Sequence, residues 1–225
     1  MVKAVFIDID NTILDFHKSA EKAIEITFNE LGFNYNESVL GIFHTINDAL
    51  WESLERKEIT KPELYDMRWK QIFGKLGISF DALEMEKIFK STLSGIAIPV
   101  DHARDLLEYL YKKYPLYAAT NSSYDHQKKR LTQSGFLQYF DDLFVSERIG
   151  AVKPEKKFFD VCFEKIGNTN PSEAVIIGDS ITADILGGQN CGLKTIWFNP
   201  NNQETPDGIT PDHTIGSLIE IKNIL

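Results

Sequence analysis

Two aspartates, Asp8 and Asp10, stand two positions apart in "AVFIDIDNT", directly after the four apolar residues Ala4 to Ile7. Side chains at i and i+2 of an extended segment point the same way, so these carboxylates face one another at the end of a buried strand. Asp179 closes another apolar run, and Asp184 follows five residues later. Asp8, Asp10 and Asp179 would crowd three carboxylates into one pocket, where like charges must hold protons unless a cation sits among them. Mg²⁺ suits such a set, because it prefers hard oxygen ligands and keeps waters and a substrate phosphate in its shell.

Other groups at the ends of apolar runs point the same way. Thr120, Asn121 and Ser122 supply hydroxyl and amide donors, and Lys153 precedes Pro154 in "IGAVKPEKKFF". A residue before proline is held extended, and Pro154 is expected as the first residue of a helix. A lysine beside the positive end of a helix dipole is misplaced unless an anion joins it. Metal, lysine and neutral donors are the equipment for stabilising a transferring phosphoryl group. An aspartate can act as nucleophile through an aspartyl-phosphate, and a second carboxylate can protonate the leaving oxygen and later deprotonate water. Spacing alone leaves open which aspartate does which. Each set also has a bland reading, since Asp and Asn routinely end strands and cap helices. Four sets at successive strand ends argue for a site.

The elements that would hold these residues read in two textures. From about residue 17 to 95 the pattern is helical. Ala20, Ala23, Ile24, Thr27, Phe28 and Leu31 recur at three- and four-residue steps before Gly32. Thr60 and Glu63 have capping-box spacing, flanked by Ile59 and Leu64 as a hydrophobic staple. Phe43, Trp51, Tyr65 and Trp69 are expected to fill the bundle's core rather than to stack on a base. After Gly95, short apolar runs at 116–119, 143–145, 174–177 and 195–198 alternate with helical patterns at 124–134, 154–166 and 182–190. That alternation predicts parallel βαβ units. Runs apolar throughout fit a sheet covered on both faces. The fold class expected is therefore α/β, a Rossmann-like parallel sheet split after its first strand by a helical insertion. Residues 1–15 and 97–225 form the core and 16–96 the cap. In such sheets the ligand site lies outside the carboxyl ends of the strands.

Composition narrows the partners. The formal charge is −9, from 24 basic and 33 acidic side chains. That argues against nucleic acid or a membrane surface, which call for a basic face, while a small anion stays possible where a cation reverses the local field. No apolar run approaches the ~18 residues that cross a bilayer. The N-terminal stretch is not expected to act as a signal peptide. Cys162 and Cys191 are expected as free thiols in a reducing cytoplasm.

In this order the residues resemble the haloacid dehalogenase-like (HAD) hydrolase superfamily, whose four motifs appear as "DIDNT", "ATNSS", "VKP" and "GDSITAD". The resemblance implies Asp8 as nucleophile and Asp10 as general acid/base. Thr120 binds the phosphoryl group with Asn121 close by, and Lys153 neutralises charge. It further implies Mg²⁺ held by Asp8, the Asp10 carbonyl and Asp179, with Asp184 supporting the metal or its waters. Most members have glycine after the second aspartate. Here it is Asn11, a residue that tolerates left-handed backbone. The insertion resembles the family's mobile helical cap of the C1 type, which closes over the site to exclude water. "LDFHKSAEKA", "TINDALW" and "DSITADILGGQNCGLKTIWFNP" are similar to the YjjG-type pyrimidine 5′-nucleotidases, so the substrate implied is a phosphomonoester, a nucleoside monophosphate. Alternatives are a sugar-phosphate or N-acylneuraminate-9-phosphate phosphatase, a phosphomutase, a 2-haloacid dehalogenase and a phosphoacceptor module without turnover. A dehalogenase would leave Asp10 idle, because halide departs without a proton.

Overall fold

Ala4–Ile7 forms β1, buried along its whole length. The strand is the centre of a computed structural model that describes all 225 residues. The chain divides into one unit of Met1–Phe16 with Ala97–Leu225 and another of His17–Ile96.

In the first unit β1 pairs in parallel with β2 (Leu116–Thr120) and, on its other side, with β4 (Ala174–Gly178). β3 (Asp142–Val145), β5 (Lys194–Phe198) and β6 (His213–Ile215) complete a parallel sheet of order β3-β2-β1-β4-β5-β6. β6 is a strand beyond those expected. It is short and starts on the exposed His213 and Thr214, so it carries almost no apolar signature. Period-two alternation puts Val5, Ile7, Ala118, Val175 and Ile177 in one apolar layer with Leu106, Leu107 and Leu131. Ala4, Phe6, Ala119 and Ile176 enter the opposite layer with Phe158, Phe159 and Cys162. Both layers are buried, and a fully buried Phe or Ile contributes about 1.5–3 kcal/mol. That burial is what permits the sheet to end in charges.

The second unit is built from α1 (Phe16–Leu31, from His17 on), α2 (Glu37–Glu55), α3 (Lys61–Leu76) and α4 (Ala82–Leu93). Asn36 caps α2 by accepting from the backbone of Ser38 and Val39. Thr60 and Glu63 form the reciprocal capping box of α3, which Gly77 ends in left-handed backbone. Phe43 and Trp69 are fully buried, as core residues should be, while Trp51 and Tyr65 are half-buried. Arg68 lies in this core with Glu86. Two bonds join them, at 3.1 and 2.6 Å, and a third runs from Arg68 to Asn47 at 2.9 Å.

The first unit continues with α5 (Ala103–Leu110), α6 (Tyr124–Ser134), α7 (Ser146–Ile149), α8 (Lys156–Ile166) and α9 (Gly187–Asn190). Two expectations need correction. Pro154 is not the first residue of a helix: its bond to Lys153 is cis, and α8 starts two residues later behind Glu155. The helix expected over 182–190 opens instead as a π-helical turn, Ile181–Leu186, before α9. Such turns mark functional sites more often than regular helix does, and here the turn carries Asp184. The chain leaves for the helical unit and returns from it through one crossing. Asp15 donates to Ile98 O at 2.8 Å and Val100 to Ile13 O at 3.1 Å, around a Leu14–Pro99 antiparallel bridge.

Candidate active site

β1, β2 and β4 are adjacent and parallel, so Asp8, Thr120 and Asp179 emerge at one edge of the sheet. Asp8 extends β1 by one bond, its N–H donating to Ile177 O at 2.9 Å. Lys153 reaches this edge fully buried and spends all three ammonium protons there. Its Nζ donates to Asp8 Oδ1 at 2.7 Å, Asp184 Oδ1 at 2.5 Å and Ala119 O at 2.6 Å. Asn121 sets the lysine's backbone in place by accepting from Lys153 N at 2.8 Å and donating to Lys153 O at 2.9 Å. The side-chain amide of Asn121 is thus directed to the lysine, and Ser146 Oγ steadies the loop from below by donating to Asn121 O at 2.9 Å.

Asp8, Asp179 and Asp184 bring one carboxylate oxygen each within 4.8 Å of one another. Thr12 donates to Asp179 Oδ1 at 3.2 Å, the Trp197 indole to Asp179 O at 2.8 Å and Ser180 N to Asp184 Oδ2 at 3.2 Å. Gly178 makes room for Asp184, since a Cβ there would lie 2.1 Å from Oδ2. One ammonium faces three carboxylates, Asp8 and Asp184 buried and Asp179 half-buried, and the imbalance is visible in their proton affinities. Burial, against the pull of Lys153, pushes the Asp8 carboxyl up to about 8. Burial and then the Asp8 charge raise Asp179 well above the ordinary carboxylate range, and burial raises Asp184 despite Lys153. Burial opposes the Lys153 charge, but Asp184 and Asp8 outweigh it and hold the ammonium above the usual lysine range. A hard-oxygen set with surplus negative charge fits a divalent cation such as Mg²⁺.

Asp10, expected as the third carboxylate of one pocket with Asp8 and Asp179, is not in that cluster, because its carboxylate is drawn to the Arg130 guanidinium. Its Oδ1 takes the Arg130 guanidinium and its Oδ2 the Gln127 amide at 2.5 Å. Thr120 is buried, and its Oγ1 accepts from Ser122 N at 3.1 Å. Asn11 occupies the left-handed region at φ 58° and its side chain accepts from Phe16 N at 3.0 Å, a bond glycine could not make. Arg130 and Gln127 escaped sequence reasoning because the α6 sequence "YDHQKKRLTQS" reads as a solvated helix. Its one strong apolar residue, Leu131, is the signal that could have found them: Gln127 and Arg130 lie on the same buried face, at i−4 and i−1 from it.

Comparison with known proteins gives the following likenesses. A family model described as haloacid dehalogenase-like hydrolase matches residues 2–192. The chain is 34% identical to a pyrimidine 5′-nucleotidase, PynA, of Streptococcus pneumoniae, over 99% of this chain and 97% of the relative. It is 30% identical to the pyrimidine 5′-nucleotidase YjjG of Escherichia coli, over 98% and 96%. A crystal structure of the Bacillus subtilis protein YfnB bound to magnesium superposes with a TM-score of 0.95 at 34% identity, covering 100% of this chain and 98% of that one.

Proposed function

The chain belongs to the haloacid dehalogenase-like hydrolases, enzymes of the phosphatase kind, and from that premise we propose that it is a Mg²⁺-dependent 5′-nucleotidase for pyrimidine nucleoside monophosphates, working through a phosphorylated Asp8. The observation that carries the mechanism is Lys153, whose buried ammonium joins Asp8 to Asp184 beside Asp179. The substrate reading is supported by the two nucleotidase relatives, each aligned over nearly the whole chain, helical unit included. That unit, residues 16–96, serves in this reading as the cap on the catalytic core.

Lys153 holds Asp8 Oδ1, which directs Oδ2 at the phosphorus of the bound ester. Thr120, with Asn121 close by, holds the phosphoryl oxygens. As the Asp8 oxygen bonds to phosphorus, the ester P–O bond breaks and Asp10 gives a proton to the departing oxygen. Water then transfers its proton to Asp10 while attacking phosphorus, and Asp8 leaves as a carboxylate with inorganic phosphate released. Asp8, the Asp10 carbonyl, Asp179 and Asp184 would hold Mg²⁺, which supplies charge stabilisation for the phosphoryl oxygens. Lys153 supplies the remaining positive charge and pulls the proton affinity of Asp8 down against burial.

A panel of nucleoside, sugar and N-acylneuraminate monophosphates, assayed for phosphate release with and without chelator, tests the reading. The expected result is turnover concentrated on pyrimidine nucleotides, lost on chelation and lost in Asp8→Asn with the fold intact. Preference for sugar phosphates would overturn the substrate, and turnover surviving Asp8→Asn would overturn the nucleophile.

A further inference from the structure

Behind Asp10 runs a buried hydrogen-bond chain with a fixed direction. Arg130 can only donate. Its Nη1 reaches Asp10 Oδ1 and, at 3.1 Å, Gln127 Oε1. With its oxygen taken by the guanidinium, Gln127 must present its amide nitrogen to Asp10. That nitrogen donates to Oδ2 at 2.5 Å and lies 3.4 Å from Thr120 Oγ1. Asp10 is therefore an acceptor at both oxygens. Gln127 and Arg130 are fully buried, while the Asp10 side chain is 27% exposed. The donors are buried while the carboxylate they hold stays partly exposed.

The geometry points to Arg130 and Gln127 as positioning residues that hold Asp10 as the base for hydrolysis of phosphorylated Asp8. This rests on the phosphatase reading above. A carboxylate that accepts at both oxygens is oriented to receive a proton. In that step water gives its proton to Asp10 as its oxygen bonds to phosphorus, and the bond between phosphorus and Asp8 breaks. The same chain ties the base to Thr120, so base and phosphoryl group are placed from one buried framework. Forming the phosphorylated enzyme from an ester with a good leaving group needs no proton, so loss of the framework should slow hydrolysis and spare formation.

Rapid mixing of the full-length enzyme with p-nitrophenyl phosphate and Mg²⁺ separates the two steps. For Arg130→Gln the expected result is a burst of nitrophenolate approaching one per enzyme, then a steady rate about 10- to 100-fold below wild type, as misplacement of a catalytic group by an ångström costs. Acid-quenched protein should carry phosphate on Asp8. Arg130→Lys, which keeps the charge, should recover part of the steady rate. Gln127→Ala removes the neutral donor and leaves the ion pair, so it tests the same idea should Arg130→Gln fail to fold by its melting curve. Folded variants that turn over like wild type, or that slow without a burst or phosphorylated protein, overturn the inference alone. A wild type that hydrolyses no phosphomonoester overturns the parent reading and this one with it.

Discussion

Lys153 brings one positive charge to a cluster of three carboxylates, and the balance of the site turns on it. Lys153→Met would leave the carboxylates without their common partner. Removal of one member of a buried ion pair typically costs about 3–5 kcal/mol, which urea unfolding would read, and hydrolysis should fall below detection. Gly178 is as exacting for a steric reason. With a Cβ 2.1 Å from Asp184 Oδ2, Gly178→Ala must expel Asp184 from its place, and Mg²⁺ affinity measured by calorimetry should drop about 10- to 100-fold. Sequence alone made Asp8 and Asp179 legible because each directly follows an apolar run that reads as a strand, with Asp184 five residues beyond Asp179 and Lys153 in the loop beyond β3. Asn121 was legible as a site residue but not in its use, since an amide that orients a lysine's backbone looks the same in sequence as one that meets a phosphate. Arg130 and Gln127 were hidden for the opposite reason: their neighbours Lys128 and Lys129 are exposed and mask the buried face they share.

Among the elements, those with strong local chemistry were the readable ones. The capping box at Thr60 and Glu63 started α3 where its spacing said it would, and α6 ran over the expected residues to a left-handed Gly135. The turn at Ile181–Leu186 was not readable, because "ITADIL" has ordinary helical spacing. What sets it apart is tertiary: Asp184 must meet Lys153 Nζ while it also closes the local bond from Ser180 N. In the helical unit, α3 and α4 are tied by Arg68 and Glu86, both nearly inaccessible to solvent. Burial raises the Glu86 carboxyl, with Arg68 pulling against it. Glu86→Gln would strand the guanidinium and should destabilise that unit by about 3–5 kcal/mol, whereas Arg68→Met with Glu86→Leu should cost less. A double-mutant cycle on thermal unfolding checks both values.

Across the whole molecule the surplus of buried acid links pH, metal and stability. Asp8 sits at about 8 against an ordinary 3.8, a folded value above the unfolded one. A group shifted in that sense stabilises the fold fully below its unfolded value, and the contribution fades as pH rises through its folded value. Asp179 and Asp184 are shifted in the same direction. Metal-free protein should therefore lose melting temperature steadily between about pH 4 and pH 8. Ligand carboxylates must shed their protons to hold an ion, so Mg²⁺ should bind more tightly, and stabilise more, as pH climbs through the same window. Calorimetry in buffers of different ionisation enthalpy should show protons released on binding. Affinity that is flat across that range would contradict the shift. The parallel core and inserted helices were legible in the sequence as a change of period near Gly95. The meeting of Asp8 with Lys153, 145 residues apart in the chain, followed only from assuming that strand ends share an edge.

The paired crossing at Ile13–Asp15 and Ile98–Val100 has a consequence for how such a protein can change. Everything between those two short segments is, to the sheet, a detour that rejoins the road where it left it. Departure and return are stitched to each other by their own hydrogen bonds, so the two ends of the detour are fixed within the sheet unit itself. An excursion of another length between the same two stitched ends would leave those hydrogen bonds in place.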